Sequence, residues 1–127
     1  MRHGTLLIAL LSVVALRPIS GHSQDAEPNS DTLACDIGPV TKVYGKTQWL
    51  VYSCTDNRTV VVVSAPGNPA MPFYFTFFPK DGKYQLGGEG TGNKDATKAA
   101  FDELKAMSDE DISELIRETR ASVKAKQ

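Results

Sequence analysis

The chain has 127 residues, with 14 basic and 15 acidic side chains, two histidines and two cysteines. That length sets a limit of one domain of ordinary size with a modest core. The basic residues are scattered, and no stripe of Lys and Arg could neutralise a phosphate backbone, which argues against nucleic acid and against a strongly anionic membrane as partners.

Residues 1–23 read as a secretory signal peptide. Arg2 and His3 give a short basic start, and the block from Thr5 to Leu16, TLLIALLSVVAL, is apolar but too short to span a bilayer. Arg17 and Pro18 close the block. Gly21-His22-Ser23 puts small residues where a signal peptidase reads, so cleavage is expected before Gln24. Cleavage would remove His3 and His22, the only histidines, and leave no imidazole for a general base, a nucleophile relay or a metal site. No second apolar run of spanning length follows, so no transmembrane anchor is expected in the mature chain. The expected address is periplasmic or extracellular.

Residues 24–34 are polar and without apolar periodicity, the pattern of a mobile leader. Cys35 and Cys54 follow, and in an oxidising compartment a disulfide is the default reading. Its loop of about 20 residues would contribute on the order of 3 kcal/mol. A lipoprotein cysteine at Thr32-Leu33-Ala34-Cys35 is disfavoured by position, because polar residues separate it from the apolar block.

From Asp36 the pattern is β. Ile37 to Tyr44 and Gln48 to Cys54 form a hairpin about Gly45, which brings the two cysteines opposite or diagonal at its open end. Thr59 to Val63 is the clearest strand. The prolines of Ser64 to Pro72 forbid regular structure there. Phe73 to Phe78 and Lys83 to Gly87 then pair about a turn at Pro79-Lys80-Asp81-Gly82, with Phe77 expected opposite Tyr84 and Phe75 opposite Leu86. After Asn93 the period changes from 2 to 3.6. Asp95 is the expected N-cap of a helix through Ala106, and Ser108 with Asp111 forms a capping box for a second. Residues 35–127 thus read as a single α+β domain: an antiparallel meander of about five strands, then a C-terminal helical hairpin packed on one face.

The run Gly87-Gly88-Glu89-Gly90-Thr91-Gly92-Asn93-Lys94 lies where a strand gives way to a helix, a position that can bind an anion. It matches neither the Walker nor the dinucleotide spacing, and the strand a βαβ unit needs never follows. Gly88, Glu89, Gly90 and Gly92 are therefore expected in a connecting loop of possible function, with Glu89 the carboxylate best placed for acid/base work. No metal site, cofactor or catalytic residue is identified. Five strands give a face of about 24 by 17 Å, and two helices about 10 Å wide cover only one such face. Apolar residues nevertheless occur on both. The second face is either covered by the curling sheet and the loop Ser64 to Pro72, or it is an aromatic patch that binds a partner through Trp49, Met71, Tyr74 and Phe78. The leading expectation is a small exported, non-catalytic domain that binds another exported protein, as an inhibitor or cell-envelope accessory factor. The alternatives are a carboxylate-dependent hydrolase centred on Glu89 and a purely structural envelope component.

Overall fold

The computed structural model describes residues 32–126; the expected signal peptide and all but the last three residues of the leader lie outside the described residues. Five strands form one antiparallel sheet in sequence order: β1 (Ile37–Tyr44), β2 (Thr47–Ser53), β3 (Val60–Ser64), β4 (Phe73–Lys80) and β5 (Lys83–Gly90). Two helices follow, α1 (Lys94–Lys105) and α2 (Asp109–Ala125). Both bury their apolar stripes against the same face of the sheet, as the α+β reading expected.

The hairpin turns set the registers. Gly45 and Lys46 both have positive φ (58° and 65°), and Tyr44 pairs with Thr47 across a two-residue turn. A side chain at Gly45 would also run into the backbone of α1 at Ala99 and Ala100, so the helix can approach only because none is there. A β-bulge between Ile37 and Val40 then brings the open end of this hairpin into line, where Cys35 and Cys54 form a disulfide. Ala34, the last leader residue, is held beyond it: the Thr55 N–H donates to its carbonyl at 2.8 Å.

The β4–β5 register differs from the expected one by two residues. Phe77 pairs with Leu86, and Pro79 with Tyr84, because the turn is the two residues Asp81-Gly82, both at positive φ. Pro79 belongs to the strand rather than the turn. Its missing N–H would point towards β3, whose pairing with β4 has already ended at Val60–Phe77, so no ladder bond is lost. A slip of two keeps every side chain on its expected face.

The covered face buries Trp49, Val51, Val60, Val62, Phe75 and Phe77 against Ala100, Leu104, Ile112, Leu115 and Ile116. Trp49 and Phe75 meet with ring centroids 5.3 Å apart, and Phe101 stacks on Phe75 from α1. Each fully buried side chain of this size stabilises by about 1.5–3 kcal/mol. One polar pair crosses the interface. Thr119 Oγ1 donates to the Ile116 carbonyl at 2.8 Å, so the buried Ser53 hydroxyl is the donor in its 2.6 Å bond to Thr119. At the edge of the interface the Lys42 ammonium pairs with Glu118 at 2.6 Å, and burial, followed by the charges of Glu118 and Glu103, pushes the neighbouring Tyr44 phenol up to about 12.

The N-cap of α1 is Asn93, whose side chain accepts from the Ala96 N–H; Asp95 lies in the first turn instead. Ser108 and Asp111 form the expected capping box of α2. The Ser108 backbone N–H, which donates to Asp111 Oδ2, and then the Ser108 side chain lower the Asp111 carboxyl below its ordinary range.

Candidate functional site

The face of the sheet turned away from the helices carries Leu50, Tyr52, Val61, Val63, Tyr74, Thr76 and Phe78. The loop after β3 does not fold across it. Asn68, itself buried, donates its side-chain N–H to the Gln48 carbonyl at 2.7 Å, and Ala70 is fully buried in the core. The loop therefore closes one end of the sheet. Only its Met71-Pro72 step borders the open face, where Met71 is 51% exposed and Tyr74 41%.

These residues wall a shallow groove of about 610 Å³ together with Val63, Phe73 and Glu89. The Tyr74 hydroxyl donates to Glu89 Oε2 at 2.6 Å across the β4–β5 pair. That hydrogen bond, and then the Glu89 charge, raises the Tyr74 phenol above its ordinary value. Chemically the groove offers an apolar floor and a single positioned anion. It suits an aliphatic or aromatic group carrying a cation or a hydrogen-bond donor. Glu89 is the only acidic residue among those lining it, and among the described residues no group of three or more His, Cys, Asp or Glu converges as a metal site.

Of the four expected contact residues, the groove brings together Met71 and Tyr74. Phe78 is on the same face but half-buried, because its ring lies over Gly87, where an added Cβ would be 3.5 Å from the ring edge. Trp49 is a correction. It faces the helices, is 0% exposed, and its Nε1–H donates internally to the Tyr44 carbonyl at 3.1 Å and Thr47 Oγ1 at 3.0 Å. It can meet no partner.

The glycine run is the second correction. Gly88, Glu89 and Gly90 belong to β5, not to a loop, and only Gly92 lies in the connection to α1. The glycines permit close approach. A Cβ at Gly88 would collide with the Phe73 and Phe75 rings, one at Gly90 with the Pro72 carbonyl, and one at Gly92 with the carbonyl of Ala70. Val63 and Pro72 line the groove and were not singled out from the sequence. Val63 could have been, since the β3–β4 register pairs it with Tyr74.

No protein-family model matches this chain, and comparison with curated proteins and with solved structures finds no match either.

Proposed function

We propose that this chain is exported and acts as a non-catalytic domain that binds another exported protein through the open face of its sheet. The observation that carries the reading is the exposed Met71–Tyr74 surface beside a face lined with half-buried apolar residues. The Cys35–Cys54 disulfide is the form expected in an oxidising compartment, and no described helix is long and apolar enough to cross a membrane. The Glu89 carboxylate, positioned by Tyr74, favours a partner that presents a lysine or arginine next to an apolar side chain.

The test uses the exported protein, whose intact mass should correspond to a chain starting near Gln24. Immobilised wild type and the double variant M71D/Y74D are compared for the exported proteins each retains, after confirming that both melt cooperatively. Proteins held by the wild type and lost from the variant support the reading. Identical retention by both would overturn it.

A further inference from the structure

The two edges of the sheet are treated differently. Along β1 the ladder is interrupted by the bulge between Ile37 and Val40, Pro39 removes an N–H, and the Lys42–Glu118 pair ties the strand to α2. The outer edge of β5 has none of these protections. Its pairing with β4 is regular over all eight residues, it contains no proline, and among the described residues no strand pairs with its other side.

The direction of its free backbone groups follows from the turn. In a two-residue hairpin the flanking residues exchange both hydrogen bonds, so Lys83, Gln85, Gly87 and Glu89 direct theirs to β4. Tyr84, Leu86 and Gly88 consequently point their N–H and C=O groups outward. We infer that this edge pairs antiparallel with β5 of a second copy of the chain, Leu86 opposite Leu86, joining two sheets into one of ten strands.

Charge and size complementarity choose that partner and that register. With Leu86 on the two-fold axis, Lys83 of each copy faces Glu89 of the other on the open face, giving two opposite-charge pairs. They fall at non-hydrogen-bonded positions, where side chains approach most closely. Tyr84 meets Gly88 and Gln85 meets Gly87, so these two larger side chains each face a glycine. Sliding one strand by two residues destroys the match. One direction sets Asp81 against Glu89; the other leaves Lys83 opposite Thr91. Glu89 already has one oxygen engaged by Tyr74 and retains the other for Lys83 of the second copy. About six backbone hydrogen bonds would form across the axis. The two open faces would become continuous.

The test is sedimentation equilibrium of the mature protein up to millimolar concentration, on wild type, K83E, E89K and a 1:1 mixture of the two variants. Lys83 and Glu89 are both exposed, so neither change threatens folding. Wild type should dimerise, and each single variant, which sets like charges face to face twice, should do so at least about tenfold more weakly. The mixture should recover dimerisation, because a K83E chain facing an E89K chain regains both opposite-charge pairs. Amide exchange at Leu86 and Gly88 should slow with concentration in the wild type. A wild type that stays monomeric, a dimer insensitive to both variants, or a mixture no tighter than its components would each overturn the inference.

Discussion

Phe75 and Tyr74 are neighbours on β4, yet Phe75 is 2% exposed under the helices while Tyr74 is 41% exposed on the open side. The same contrast runs across the sheet: Trp49, Val51, Val60 and Val62 are buried on one face, and Leu50, Tyr52, Val61 and Val63 are half-buried on the other. Both sets are apolar enough to form a core. What separates them is which face the helices cover. Gly45 admits α1, and Ala100 is fully buried at that approach. One face therefore carries stability while the other keeps apolar surface available for contact. The strands cannot be read as core merely because they are apolar.

The strongest way to break this contrast is to substitute across it. Phe75→Ala should cost about 3–5 kcal/mol in chemical denaturation, the range for a large-to-small change in a packed core. Tyr74→Ser should move the denaturation midpoint by only a small fraction of that. Equal losses at the two positions would mean that the open face is packed as tightly as the covered one.

Much of this two-faced arrangement is legible in the sequence, since alternation along TVVVV and FYFTFF assigns faces without any knowledge of register, and a slip of two leaves those assignments intact. The capping box at Ser108 is equally local, depending on two side chains three residues apart. The failures are of another kind. Trp49 alternates correctly with Val51, but alternation does not say which face the helices will choose. The glycine run looks like a loop because glycine is usually punctuation. Here Gly88 is small because the rings of Phe73 and Phe75, distant in sequence, lie on it. Asn93 and Asp95 are both competent caps, and the Asn93 N–H bond to the Pro69 carbonyl, a tertiary contact, accompanies the choice between them. The groove was only half visible, because Met71 and Tyr74 meet Glu89 and Val63 through pairing rather than through spacing.

A smaller effect sharpens the same comparison from the covered side. Thr119→Val keeps the side-chain volume but removes the acceptor for the buried Ser53 hydroxyl. The expected loss is about 1–3 kcal/mol, the cost of an unsatisfied buried polar group. The double change Thr119→Val with Ser53→Ala should be less destabilising than the two single losses added together, because it leaves no orphaned donor. Additive losses would show that the two hydroxyls are not bonded to one another across the interface.

The smallest expected effect belongs to the open face and concerns titration rather than stability. The Tyr74 phenol is raised because its proton is held by Glu89 Oε2 and its anion would face that charge. A group whose folded pKa lies above its unfolded value contributes stability at pH below the unfolded value, and loses it as pH rises through the folded one. The Tyr74–Glu89 contribution is therefore complete at neutral pH and disappears only in the alkaline range. Glu89→Gln should shift the Tyr74 titration downward, towards the ordinary phenol value, when followed by tyrosine ring NMR with Tyr74→Phe identifying the signal. The half-buried Tyr44, raised mainly by desolvation, should not follow it. If Tyr74 keeps its raised titration in Glu89→Gln, Glu89 is not what holds the phenol, and the proposed preference for a cationic partner loses the positioned anion it rests on.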